Sequence, residues 1–154
     1  MDKCLYVVNV EAALFKDDRW LLGKRSSKED HAPGEISMVG WKVENATNEN
    51  NILEETLKRE VLEEVGVEIR DNIRYVKSST FVASFGKTVV DIVFLCEYKS
   101  GQAKALDPNE LDGVEWLTLD EVLSNKDIGE YTKEALKIAA HMRNAREGWT
   151  TIFS

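Results

Sequence analysis

The stretch Arg59-Glu60-Val61-Leu62-Glu63-Glu64-Val65-Gly66-Val67 concentrates carboxylates at a spacing suited to metal chemistry. On a helix, Glu60, Glu63 and Glu64 stand at i, i+3 and i+4 and share one face. Three like charges on one patch repel each other. A hard divalent cation such as Mg²⁺ or Mn²⁺, which prefers oxygen ligands, would relieve that repulsion. A cation on a diphosphate can neutralise its charge, position it and activate a water for attack on phosphorus. The plainer reading of the same residues is a solvated helix face, with Lys58 and Arg59 as partial counter-charges.

The elements that would position this face are legible around it. Leu53, Leu57, Val61 and Val65 recur every four residues and predict a helix over 52–65. Asn51 is placed to cap its start, Glu54 and Glu55 suit the first turn, and Gly66 can end it in the left-handed conformation. Segment 3–15 reads as a strand, Lys16-Asp17-Asp18 as a polar turn, and Arg19 to Arg25 as the returning strand of a hairpin. Ser26 to Glu35 is a polar loop with the turn signal Pro33-Gly34, and Ile36 to Val43 is a short apolar stretch interrupted by Gly40. Asn45 to Asn51 is a polar loop. Strands are predicted over 67–83 and 88–98 with a turn near 84–87, and a last short strand over 113–117. Thr118 can cap a short helix through Leu123, and Tyr131 to Arg146 reads as a longer one. This mixed order predicts a single α/β domain over 1–154, a sandwich with helices on both sides of a mixed sheet.

Composition narrows the function classes. Acidic residues outnumber basic ones 28 to 20, giving a formal net charge of −8. That argues against a general nucleic-acid binder, which needs a basic face to displace counterions. It leaves room for a small phosphorylated substrate, because bound metal reverses the local sign. The two cysteines, Cys4 and Cys96, each lie in an apolar stretch and read as buried thiols in a reducing cytoplasm. We expect no signal peptide and no membrane span, since no apolar run reaches ~20 residues.

The string Arg59-Glu60-Val61-x-Glu63-Glu64-x-Gly66-Val67 resembles the C-terminal half of the Nudix box, G-x5-E-x7-R-E-U-x-E-E-x-G-U, in which U is a bulky aliphatic residue. Gly40-Trp41-Lys42-Val43-Glu44 resembles the Gly-Gly-Lys-Val-Glu opening of that motif. The His31-Ala32-Pro33-Gly34 loop and the segment Val114 to Glu121 also match family habits, so the resemblance runs from about Val7 to the last helix. It departs in three places: Trp41 replaces the second glycine, the following loop is about four residues longer, and Asn51 stands where a glutamate is expected.

The resemblance implies a Nudix-type, MutT-like α/β/α sandwich binding Mg²⁺ or Mn²⁺ through Glu60, Glu63 and Glu64. One of the last two would also polarise the attacking water. Arg59 would hold the glutamates in place, and the backbone carbonyl of Gly40 would reach the metal. A further acid from a distant loop is expected, with Glu110 first and Glu97 and Asp107 behind it. Arg25, at the end of the second strand, is a candidate for a substrate phosphate, against a plain surface role. Trp41 either stacks on a base or fills the space left by the altered loop. His31 reads as a turn residue, and Asp91 as either a structural acid or a pocket residue. The expected function is hydrolysis of a nucleoside diphosphate linked to another group, releasing a nucleoside monophosphate. The alternative is a nucleotide-binding or regulatory module on the same scaffold without turnover. The expected partner is a small nucleotide, with no nucleic acid and no membrane; a homodimer is common in the family.

Overall fold

Apolar residues from Val10 to Phe15, interrupted by Glu11, lie on both faces of the segment Tyr6–Lys16, which forms β1, the strand on which the sheet is built. The computed structural model describes residues 5–29, 32–44, 50–83 and 86–145. After β1 come β2 (Arg19–Arg25), β3 (Ile36–Ser37), β4 (Val39–Lys42), α1 (Ile52–Val65), β5 (Val67–Ile69) and β6 (Arg74–Val82). They are followed by β7 (Thr88–Gly101), β8 (Leu111–Thr118), α2 (Leu119–Ser124) and α3 (Glu130–Asn144). Among the described residues the sheet has eight strands, with β3, β2, β1, β7 and β5 in order, β4 on β1, β6 on β7 and β8 on β2. β1 runs parallel to β7, from Tyr6 opposite Thr88 to Phe15 opposite Glu97, and antiparallel to β2 and β4. The sheet is therefore mixed, as expected.

Alternation along β1 divides the core in two. Val10, Ala12 and Leu14 pack toward α1 with Leu57, Val61 and Val65, whereas Ala13 and Phe15 pack toward α3 with Ala135, Leu136 and Ala139. Helices thus cover both faces, and both faces of the central strands are apolar. The β1–β2 turn is Asp17-Asp18, with Asp17 at φ 55. Asp tolerates that left-handed backbone better than most residues. No described helix is long and apolar enough to cross a membrane.

α1 spans the predicted residues. Gly66 ends it at φ 73, its N–H donating to the Leu62 carbonyl, as expected of a left-handed cap. The expectation for Asn51 is corrected. It occupies the cap position, but its backbone is left-handed at φ 56 and its side chain makes no capping hydrogen bond. A capping side chain works from the extended region, so this backbone turns it away from the first-turn N–H groups. Thr118 does cap α2. It accepts from Glu121 N at 3.2 Å while Glu121 Oε1 accepts from Thr118 N at 3.1 Å, a reciprocal box.

The single strand predicted over 67–83 is two strands. β5 pairs with the far end of β7, Val67 opposite Gly101, and β6 pairs with the near part, Val82 opposite Thr88. The step between them is fixed by Arg70 N donating to Glu97 O at 2.8 Å and by Lys58 Nζ from α1 reaching Asp71 at 2.7 Å. Cys96 is fully buried, and burial pushes its thiol well above the usual range, as suits an inert core residue. Cys4 and His31 lie outside the described residues, as does most of the polar loop before Asn51.

Leu57 has no exposed surface and sits at the centre of the α1 stripe. Leu57→Ala removes buried apolar surface and leaves a cavity, so unfolding free energy in urea should fall by about 2–5 kcal/mol. An unchanged midpoint would show that another contact seats the helix.

Candidate metal centre

The buried stripe of α1 sets its flank, which carries Glu60 and Glu64, toward the loop that precedes β8. Leu57, Val61 and Val65 are fully buried, whereas Glu60 and Glu64 are partly buried and Glu63 is exposed. The loop is bonded onto the end of α1. Leu106 N donates to Glu64 O and Lys104 N to Val65 O, both at 3.0 Å. Those bonds satisfy helix-end carbonyls that have no partner within the helix. The next residues form a tight turn, with Glu110 N donating to Asp107 O at 3.1 Å and Asn109 N to Asp107 Oδ1 at 2.9 Å. Ser26 N, donating to Glu110 O at 2.9 Å, ties the turn to the end of β2.

This arrangement gathers Glu64, Asp107 and Glu110, each with one carboxylate oxygen within 4.8 Å of the others. Burial and then the neighbouring Glu110 push Glu64 up to about 7. Glu110 is raised by burial, with Asp107 and Glu29 adding repulsion and Arg25 opposing it. Glu60 is raised by burial and then by Glu63, against the pull of Arg59. Glu64 Oε2 is buried with no hydrogen-bond partner. An all-oxygen donor set, mutual repulsion and an orphaned buried oxygen fit a hard divalent cation.

The residues singled out from sequence fall in distinct places. Glu60 stands beside the gathered acids, close enough that its charge acts on Glu64. Glu63 lies at the outer edge of the face. Arg59 Nη2 reaches Glu60 Oε1 at 3.6 Å and so touches one glutamate of the three. Glu110 belongs to the cluster, and so does Asp107, which ranked behind it. Glu97 pairs with Arg70 at 3.7 Å on β7. Arg25 follows a register shift in β2, pairs with Glu29 at 3.4 Å and acts electrostatically on Glu110.

Gly40 lies on β4 opposite Glu11, where a Cβ would come within 2.7 Å of Glu11 Cγ and 2.9 Å of the Val10 carbonyl. Close strand approach thus demands glycine there. Trp41 is 8% exposed and packs in the α1-side core with Val10, Val39 and Leu57. Of the two readings for Trp41, packing matches its position, and a ring so enclosed has little face left for a base. Asp91 is buried, accepting from Asn9 Nδ2 at 2.6 Å and from the Tyr131 hydroxyl. Glu11 beside it was missed from sequence, although an acid inside the apolar run Val10 to Phe15 was the available signal.

The raised Glu64 has a consequence for the metal-free protein. From the ordinary value of 4.5 up to about 7, the folded chain keeps a proton that the unfolded chain has released. The stability contributed by this group is full below the lower value and is lost as pH rises through the upper one. Melting temperature without metal should therefore decline from about pH 5 to pH 8, and Mg²⁺ should raise it more at the higher pH. Glu64→Gln should flatten the slope; an unaltered slope would place the effect elsewhere.

The NUDIX domain family matches residues 5–137. No curated protein matches the sequence significantly. A MutT NUDIX hydrolase from Burkholderia pseudomallei is 24% identical with a TM-score of 0.70, over 86% of this chain and 97% of that one. A MutT protein from Methanosarcina mazei Go1 is 23% identical with a TM-score of 0.72, over 92% and 96%. The NUDIX domain of Shewanella oneidensis NrtR, complexed with ADP ribose, is 18% identical with a TM-score of 0.70, over 89% and 88%. The sandwich of helices on a mixed sheet, the Arg59–Val67 string running from α1 into β5 and a family match over most of the length agree: this chain belongs to the NUDIX family.

Proposed function

We propose that this protein hydrolyses a nucleoside diphosphate linked to another group, dependent on Mg²⁺ or Mn²⁺, releasing a nucleoside monophosphate. The observation that carries the reading is the convergence of Glu64, Asp107 and Glu110 on one point beside Glu60. The binding of ADP ribose by the NrtR domain supports a nucleotide-linked diphosphate as the class of ligand. The resemblance supplies the remaining donors, Glu63 and the Gly40 carbonyl, and the short reach from Arg59 to Glu60 supports a holding role for that arginine.

Glu60, Glu63, Glu64 and Glu110, with Asp107, would hold the divalent ion. When bound, it would supply charge neutralisation for the diphosphate and a lowered pKa for a water molecule. The chain's own part is to place and deprotonate. Glu64, at the centre of the group, takes the proton of the attacking water. The water oxygen forms a bond to phosphorus as the anhydride P–O bond breaks, and the bond electrons leave with the departing phosphoryl oxygen. Arg25, at the rim of the centre, meets substrate phosphate oxygens by charge-assisted hydrogen bonds. The fold does not by itself separate an enzyme from a nucleotide-binding module, so turnover decides.

Glu64→Gln keeps the shape and removes the charge. With Mg²⁺ and a panel of nucleotide-linked diphosphates, kcat should drop by about 100-fold or more, with the far-ultraviolet circular dichroism unchanged. Equal turnover would take Glu64 out of the mechanism. Tight binding across the panel with no monophosphate released by the wild-type chain would favour the binding module.

A further inference from the structure

β6 is an outer strand of the sheet. It pairs with β7 along one edge, and among the described residues no strand lies on its other edge. Such an edge offers a row of backbone donors and acceptors to any extended chain, and folded proteins guard it with charged side chains, prolines, bulges or short length. The other outer strands are guarded in that way. β3 and β4 have two and four residues, β5 has three with Glu68 exposed at its centre, and β8 carries the exposed acids Asp112 and Glu115. β6 is guarded only near its start, by the register shift between Tyr75 and Lys77. Beyond that bulge, Lys77-Ser78-Ser79-Thr80-Phe81-Val82 runs without an acid, a proline or a glycine, in a chain of net charge −8. Its cation, Lys77, is engaged toward α3, pairing with Glu134 at 3.6 Å and lying over the Tyr131 ring at 4.7 Å.

Pairing with β7 sorts this stretch by face. Ser79 and Phe81, opposite Asp91 and Val89, lie on the α3 side, whereas Ser78, Thr80 and Val82, opposite Ile92, Val90 and Thr88, lie on the α1 side. Tyr75 is 56% exposed, Phe81 40% and Val82 69%, and Ser78 and Thr80 are exposed as well. Beside the strand on the α1 side runs an apolar groove of about 390 Å³ lined by Leu53, Tyr75, Ser78, Val90, Ile92 and Phe94. A second copy of the chain fits this edge. Two copies of an acidic chain meet with least repulsion where the surface holds no acid, and the one cation of the stretch, already paired, offers nothing to a nucleic acid or an anionic membrane. A two-fold axis normal to the sheet at Thr80 sets the two β6 strands antiparallel and brings like faces together, as a continuous sheet requires. Ser79 then stands opposite the partner's Phe81, and Ser78 opposite the partner's Val82, which brings that exposed valine to the apolar groove. The exposed strand surface amounts to roughly 400–500 Å² per copy, so about 800–1,000 Å² between two, the size of a reversible interface and not of an obligate one.

We propose that this protein self-associates through β6, two copies joining their sheets edge to edge about a two-fold axis at Thr80. Association on this edge holds whether or not the chain turns over a nucleotide. Sedimentation velocity on the full chain, from about 1 to 300 µM, should show a monomer passing reversibly into a dimer, with half-association in the micromolar range. Thr80 is exposed, so charge variants there leave the core untouched. Thr80→Glu and Thr80→Lys each set like charges across the axis, and each should weaken association by about tenfold or more. An equimolar mixture of the two variants sets opposite charges there and should restore the dimer. A wild-type chain that stays monomeric over the whole range would overturn the proposal and leave the edge to a different partner or to none. A dimer undiminished in both variants would place the contact on another surface and overturn it too. So would a mixture no more associated than its separate components, because the axis would then not pass at Thr80.

Discussion

Three carboxylates whose oxygens converge within 4.8 Å repel one another, and the folded chain has to hold them there. Among the described residues, Arg25 acts on Glu110 from the rim of the group, and Arg59 pairs with the adjoining Glu60. Like charges at such range raise each other's pKa, and a proton is the stand-in the protein can always find. A divalent cation is the better occupant, because it satisfies several oxygens at once. The site is therefore an arrangement under electrostatic strain that a bound cation would relieve.

The scaffold answers that strain with apolar packing on one side and backbone bonding on the other. α1 is seated by residues with no exposed surface, so its acidic face cannot roll away from the cluster without opening the core. The opposing acids are carried by a loop, ordinarily the less constrained kind of element. Here its N–H groups bond the last carbonyls of α1, and its turn is closed by Asp107 itself. Glu64 contributes its side chain to the cluster and its carbonyl to the loop that brings the other two acids.

The sequence is most legible where one local rule decides the outcome. The fourfold spacing of Leu53, Leu57, Val61 and Val65 and the terminal Gly66 define α1 with little help from the rest of the chain. Thr118 and Glu121 mark the start of α2 in the same way. Legibility fails where tertiary context overrides local preference. Asn51 has a capping side chain, but the approach of the chain sets a backbone that cannot use it. The break between β5 and β6 depends on which part of a 14-residue partner strand each segment meets, and nothing local encodes that. The same holds at the site. Glu60, Glu63 and Glu64 were readable together, but the oxygens that converge belong to Glu64 and two acids more than forty residues on. Glu11 escaped notice because its partner Asp91 is eighty positions away.

The ten-rung parallel ladder between β1 and β7 has a bearing on how the molecule comes into being. Each rung closes a loop of about eighty residues, and such contacts form slowly. On the ribosome, β1 emerges with β2, β4 and α1 long before β7 and α3, so the edge that pairs β7 and the face that packs α3 stay bare meanwhile. The β1–β2 hairpin pairs only its last part, from Phe15 onward, and β4 only its stretch from Asn9 to Ala12. A nascent chain of this design is most exposed to aggregation between those two moments of synthesis, and chaperone demand should concentrate there.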